Sequence, residues 1–536
     1  MKHKNAIKNE NGVVKRRMLS GAAVLAVGGI IAKLLGALYR IPLTNILGAE
    51  GMGMYQLVFP VYALFMTLSV AGIPTALSRI VAEKKIAGEP AKKYLASAML
   101  ILAGLSTLAA ILTFSLSGYL AAFQGNVDTH GGFKIIAPAI ILVGLIAGFR
   151  GWFQGEMYMI PTAVSNIIEQ VVKLALGIAL SLLLIDRGVV YAVYGALAGI
   201  TVSEFFALAY LFMTYLVRGR KLQKEKLRIT RDEARGMFKI AFPIALVAVL
   251  LPLSNFFDSI IIVNVLKWSG LSQSVATSQY GLLSGPVNSL VNMPIAVIMS
   301  LAIAIVPAVS ASRMQRDISA IMLKSSLSIK LTYLFGVPCA FFFAVFAPRL
   351  LALIYPALSA EQLIVASNIL RITCANVVML SAMQIYVSLL QALDRTKYAV
   401  LSLVFAIIVK IVLSIVLTRY IGIIGSAIAS LSMAAVALLG VNISFYKTCG
   451  LHLEKNVGLN LLCGVIMALT GVAATYFIQN TVVMIAVGFI VCAVVYVWLA
   501  LLMGLVDREE IQYLPMRRLI AKLHRFIRFW EYKDET

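Results

Sequence analysis

From Met18 to Val506 the chain alternates long apolar runs with short breaks rich in Gly, Pro and charge. The runs cover 18–41, 54–73, 92–120, 134–153, 162–185, 189–216, 238–266, 279–308, 320–347, 361–391, 397–418, 421–446, 457–478 and 482–505. A helix crossing a bilayer needs roughly 20 apolar residues, and a backbone in hydrocarbon must satisfy its own hydrogen bonds. The pattern therefore predicts an all-α polytopic membrane protein of about fourteen transmembrane helices. An even number places both termini on one side. The first two runs flank a Gly-rich stretch, Leu43 to Gly53, which reads as a short loop.

Composition excludes a soluble protein: 61% of the 536 residues are hydrophobic and 13% charged. The net charge of +23 does not point to nucleic acid, because the cations sit in short loops between apolar runs. About 35 of the 46 Lys and Arg fall in the tails and in the loops on their side, against Lys134, Arg187, Lys267, Arg349 and Arg419 opposite. That asymmetry places both termini in the cytoplasm. The segments are then a basic N-terminal tail (1–17), six spans (18–216), a basic amphipathic linker (217–237), six further spans (238–446), a last pair (457–505) and a basic tail (506–536). The C-terminal tail reads as a helix lying on anionic headgroups; the linker reads the same way or as a solvated connector. The first run lacks a cleavage-like end and reads as a signal anchor. Five scattered cysteines read as small buried hydrophobes.

The two six-span segments repeat. Pro74 and Pro307 end matched spans; Lys173 and Lys410, like Gln154 and Gln391, share an offset of 237; YGALAG at Tyr194 and IGSAIA at Ile424 open another matched pair. Matches in order at nearly constant offset predict two pseudo-symmetric lobes, with the last pair of spans appended.

Polar residues inside the spans carry the candidate chemistry, since each charge in hydrocarbon is costly. Lys33, Gly36 and Arg40 share one helix face, which reads as the wall of a polar cavity; Arg40, near the helix end, can equally snorkel to the interface. The fifth span carries Asn166, Glu169, Gln170 and Lys173, with Glu169 and Lys173 spaced to pair. The eighth carries a ladder of Ser284, Asn288 and Asn292, and the tenth carries Arg371, Gln384, Ser388 and Gln391. Asn255, Asp258, Glu204 and Lys410 complete the set. The deep cations Lys33, Arg40, Lys173, Lys330, Arg371 and Lys410 outnumber Glu169, Glu204 and Asp258. A shared cavity would thus favour an anionic group such as a phosphate. No Walker A motif, metal-ligand cluster or nucleophile motif is present in the sequence. The expectation is a transporter, not an enzyme, with no cofactor and no metal, driven by Na+, H+, the membrane potential or the substrate gradient.

The runs AKLLGALYRIPLTNILGAEGMGMYQLVFPVYALFMTLSVAGIPTALSRIVAE and GWFQGEMYMIPTAVSNIIEQVVKL resemble bacterial polysaccharide-biosynthesis membrane proteins. More narrowly they resemble the stage V sporulation protein B group and MurJ-type lipid II flippases, within the multidrug/oligosaccharidyl-lipid/polysaccharide exporter superfamily. The resemblance implies alternating access of two lobes around a cationic cavity in a bacterial cell membrane. It implies an undecaprenyl-diphosphate-linked glycan, lipid II or a related wall precursor, as cargo, with the appended spans guiding the lipid tail. Lys33, within Ala32-Lys33-Leu34-Leu35-Gly36, takes the place of a functional Arg in the flippases, and Arg40 lies about one position from a second. The cavity Arg residues of the second and eighth spans have no basic counterpart here. Two other readings stand beside it. One is a cation-coupled drug antiporter using Glu169, Glu204 or Asp258; the other is a non-transporting scaffold that recruits wall-synthesis enzymes. Expected partners are the lipid-linked oligosaccharide and membrane lipids, with the chain a monomer.

Overall fold

The computed structural model describes residues 2–70, 72–219, 231–315, 317–449 and 456–505. Most of the expected linker and the whole C-terminal tail lie outside the described residues. Among the described residues the secondary structure is helical throughout. Twelve helices are long and apolar enough to cross a membrane, thirteen with one bent pair counted as a span. The first, Val27–Ile86, is 60 residues long and kinked at Gly48, leaving about 20 residues before the kink and about 38 after it, enough for two passes. The expectation of fourteen spans is matched approximately, and the chain is a multi-pass membrane protein.

Helix α1 (Lys2–Val70) contains the kink, at Gly48 (φ 67°, ψ −173°). The expected loop from Leu43 to Gly53 is therefore corrected: helix runs through it, and one residue makes the turn. Glycine adopts that left-handed φ without a Cβ clash. The neighbouring glycines serve packing instead. A Cβ at Gly51 would press on Val189, and one at Gly53 would overlap the Thr277 carbonyl. Beyond Gly72 (φ 82°), α2 (Ile73–Ile86) begins with Pro74 in its first turn, where the missing N–H costs nothing. Next come α3 (Lys92–Ser115), α4 (Ser117–Phe123), α5 (His130–Gly155), α6 (Ile160–Leu184), α7 (Val189–Gly219), α8 (Arg231–Trp268) and α9 (Gln273–Leu282).

A π-helical turn, Leu283–Val287, joins α9 to α10 (Asn288–Met314). It corrects the proposed ladder. A π turn inserts an extra residue into the helical register, so Ser284 does not stack under Asn288 and Asn292. Ser284 instead uses its carbonyl to accept Gln56 Nε2 at 2.9 Å. The remaining helices are α11 (Ile318–Ile354), α12 (Ala360–Thr373), α13 (Asn376–Ala392), α14 (Thr396–Ile421), α15 (Ile423–Cys449), α16 (Val457–Thr475) and α17 (Thr481–Leu502). The tenth expected span is two helices, α12 and α13, bent by 42°. Arg371, in the last turn of α12, and Gln384, on α13, therefore do not share a straight helix face.

The described residues pack as two compact units, Met1–Ser289 with Ser414–Gly425 and Leu290–Leu413 with Ser426–Thr536. In the first, Tyr39, Leu43, Met52, Val58 and Tyr62 of α1 meet Phe133, Ile136 and Ile140 of α5 and Ala196 and Leu197 of α7. A second cluster joins Ile73 and Leu77 of α2 to Leu102 of α3 and Trp152 of α5. In a bilayer such contacts gain little from leaving water; close packing of small residues and interhelical hydrogen bonds hold them. Glycines supply that closeness where α9 crosses α1, since a Cβ at Gly281 would overlap the Ala49 carbonyl. The second unit uses the same device. Gly464 of α16 and Gly488 of α17 lie against Phe341 and Phe346 of α11, and Tyr496 donates to Asn460 Oδ1 at 2.7 Å.

Candidate functional site

Small residues decide how deep the charges sit. Gly28 packs on Ala163, Gly36 on the Gln170 side chain, and Tyr39 lies over Gly177, so α1 and α6 approach closely along their length. Between α6 and α7, a Cβ at Gly195 would touch the backbone at Leu180, and Gly199 abuts Gly177. These contacts press α1, α6 and α7 together around Arg40, Glu169, Lys173 and Glu204.

The acidic members are held. Glu169 accepts Arg150 Nη2 at 3.0 Å through Oε2 and Gln170 Nε2 at 2.8 Å through Oε1. Arg150 Nε also donates to Ser165 Oγ at 3.0 Å. The side chains of Arg150 and Glu169 are only 21% and 17% exposed. Glu204 is 5% exposed. Its Oε1 accepts the Tyr62 hydroxyl at 3.4 Å, and its Oε2 is buried without a partner. An unpaired buried carboxylate oxygen is unusual and marks a place where a proton or cation can be taken up.

The basic members are held less tightly. Lys173 Nζ lies 5.8 Å from the centroid of the Tyr39 ring, within electrostatic reach of Glu169, Glu204 and Arg40. Among the described residues, neither Lys173 nor the Arg40 guanidinium makes a hydrogen bond or a salt bridge; both are half-buried. Three cations, Arg40, Arg150 and Lys173, thus face two carboxylates, one already neutralised by Arg150. The arrangement keeps a surplus positive charge inside the helix bundle and suits a phosphate-bearing ligand.

Two sequence readings change here. Glu169 finds its partner on another helix, Arg150, and not in Lys173 one turn away. Arg150, not among the expected deep cations, joins the cluster, because α5 continues to Gly155 and keeps it more than a turn inside. The turn signal QGEMY after Phe153 held that information. Sequence reasoning also missed Tyr39, Tyr62 and Ser165, which carry no signal of their own inside apolar runs.

The other predicted residues are placed as follows. Lys33 is exposed on α1 and makes no salt bridge among the described residues; Asn255 is exposed and Asp258 half-buried on α8, with Asp258 in electrostatic reach of Tyr280. Asn288 is half-buried at the start of α10, Asn292 exposed one turn on, and Arg371 exposed on α12. Gln384 is half-buried on α13, its carbonyl accepting Ser388 Oγ. Lys410, 6% exposed, is buried on α14.

Comparison with known proteins places this geometry. The family model described as "Polysaccharide biosynthesis protein" matches residues 18–313. Stage V sporulation protein B of Bacillus subtilis (strain 168) is 27% identical over 53% of this chain and 56% of that protein, so the match spans little more than half of either. Lipid II flippase MurJ of the same organism is 22% identical over 85% of this chain and 88% of the relative. Among solved structures, a lipid II flippase MurJ in an inward closed conformation superposes with a TM-score of 0.70 at 15% identity, covering 88% of this chain and 98% of that one. An inward-facing multidrug resistance MATE family transporter superposes at 0.60 with 13% identity, covering 84% and 98%. At these identities the superpositions show the fold.

Proposed function

The chain belongs to the polysaccharide biosynthesis protein family, and from that premise we propose that it is a membrane flippase carrying an undecaprenyl-diphosphate-linked glycan from the inner to the outer leaflet. The cargo class is that of lipid II or a related wall or polysaccharide precursor. The observation that carries the reading is the pair Arg40 and Lys173: half-buried cations with no salt-bridge partner among the described residues. An uncompensated charge inside a membrane bundle is costly, and a diphosphate head group supplies the missing counter-charge. Both termini lie in the cytoplasm, as the Lys and Arg asymmetry requires. In this reading the two lobes, residues 18–216 and 238–446, work by alternating access. The relative named as a lipid II flippase, aligned over 85% of this chain, supports the same cargo class.

A second reading rests on Glu204, whose unpartnered oxygen fits cation or proton coupling, as in an antiporter. The discriminating experiment is complementation of a strain depleted of its lipid-glycan flippase, with membrane levels checked by immunoblot. Lys173→Gln and Arg40→Gln are expected to abolish complementation at normal expression. Complementation by both, with Glu204→Gln failing, would replace the flippase reading with the antiporter.

A further inference from the structure

At the loop end of α5 and α7 the chain forms a cleft of about 870 Å³ that none of Arg40, Arg150, Glu169, Lys173 and Glu204 lines. Its walls are Trp152, Glu156, Tyr158, Tyr210, Tyr215 and Arg218. Met213 forms part of this cleft and also of a second one, about 500 Å³, lined by Phe149, Phe205, Leu208 and Phe212 and almost wholly apolar. The two meet at Met213. A charged, aromatic mouth leads into an apolar furrow along α7, and Phe205, Phe212 and Met213 are exposed there, as lipid-facing side chains are.

The mouth is built. Met157 holds a left-handed φ of 57°, a strained conformation for a non-glycine residue that recurs at ligand sites. It turns the chain so that Tyr158 lies under the Arg218 guanidinium, 4.0 Å from the ring centroid. Glu156 faces Lys85, whose Nζ donates to its Oε2 at 2.8 Å and to its carbonyl at 2.9 Å. With Glu156 neutralised by Lys85, Arg218 is the uncompensated charge at the mouth. It makes no salt bridge among the described residues. From Phe205 to Arg218 the helix rises about 20 Å, about two-thirds of a hydrocarbon core of about 30 Å and so one leaflet plus the headgroup level. The site thus spans about one leaflet and ends at the surface, where Arg218 lies exposed and Glu156 is paired with Lys85.

We propose that this cleft binds an anionic phospholipid of that leaflet whose headgroup carries hydroxyls. The phosphate rests on Arg218, a headgroup hydroxyl donates to the carboxylate of Glu156, and an acyl chain fills the furrow over Met213. Charge complementarity with one lone Arg, and the join of a polar mouth to an apolar furrow, select a phospholipid over a soluble anion. The site does not depend on what the protein transports.

The test is native mass spectrometry of the full-length protein released from detergent containing phosphatidylglycerol or phosphatidylcholine at equal concentration. The wild type is expected to retain phosphatidylglycerol at least fivefold over phosphatidylcholine. Arg218→Gln, an exposed position, and Met213→Trp, which fills the furrow, should each lower that retention about fivefold. Undiminished retention in both variants overturns the proposal, as does equal retention of phosphatidylcholine by the wild type. A loss with Arg218→Gln alone shows an ion on the mouth and no seated chain, and a loss with Met213→Trp alone shows a chain with no headgroup selection. Either result refutes the lipid assignment while leaving the transport reading intact.

Discussion

Replacing Arg150 by Gln removes two hydrogen bonds, Nη2 to Glu169 at 3.0 Å and Nε to Ser165 at 3.0 Å. A charge-assisted bond contributes about 1.5–3 kcal/mol and a neutral one about 1. Breaking a buried pair by removing one partner costs about 3–5 kcal/mol, because the other charge stays desolvated. Both side chains here keep about a fifth of their exposure, and Gln170 still donates to Glu169, so we expect about 2–3 kcal/mol for Arg150→Gln. Glu169→Gln should cost a similar amount by orphaning Arg150. In the double variant neither charge is left alone, and the loss should be no larger than that of either single change. Three buried free cysteines, Cys374, Cys463 and Cys492, suit a thiol-reactive dye that fluoresces as heating exposes them. The coupling is read from the four unfolding midpoints. Additive losses in the double variant would refute the ion pair as a structural unit and with it the neutralised half of the cluster.

Glycine packing gives a second expectation. Gly53→Val meets the Thr277 carbonyl and should abolish folded protein on fluorescence-detected size exclusion, whereas Gly104→Ala, with nothing within 4 Å, should leave the protein folded and about 0.5–1 kcal/mol more stable. For topology, single cysteines at Glu50 and Asp128 should react with an impermeant thiol reagent from outside, and one at Lys85 only after permeabilisation; labelling of all three from outside contradicts the orientation. In the turn after α2, the hydrogen bond from Lys84 holds the Glu89 carboxyl below its usual range. A lowered carboxyl stabilises above the unfolded value and loses that effect as pH falls through the folded one. Hydrogen exchange over residues 84–90 should therefore show local loosening only in acid, and loosening confined to alkaline pH would contradict the pairing.

The spans were legible because hydropathy along a chain is what a bilayer selects, and most predicted runs correspond to helices. What the sequence hid is which residue faces which. The glycines of 43–53 read as loop, since composition does not separate a glycine needed for φ, Gly48, from one needed for a close helix crossing, Gly53. The π turn and the 42° bend likewise leave apolar runs intact while moving the polar residues on them. Helical spacing puts Glu169 and Lys173 on one face of α6, but the partner of Glu169, Arg150, is brought in by the fold of α5 against α6, and no periodicity of one helix reports that. Tyr62 reaches Glu204 from α1, 142 positions away in the chain.

The central claim, that partner-free cations inside the bundle receive an anionic lipid-linked glycan, is tested most directly in proteoliposomes holding a fluorescent undecaprenyl-diphosphate sugar. The wild type should render the inner-leaflet pool accessible to an external reducing quencher. Lys173→Gln, reconstituted at equal density, should slow that exposure at least tenfold, a transition-state loss of about 1.4 kcal/mol or more. A wild type no faster than empty liposomes, or a Lys173→Gln variant as fast as the wild type, would contradict the account.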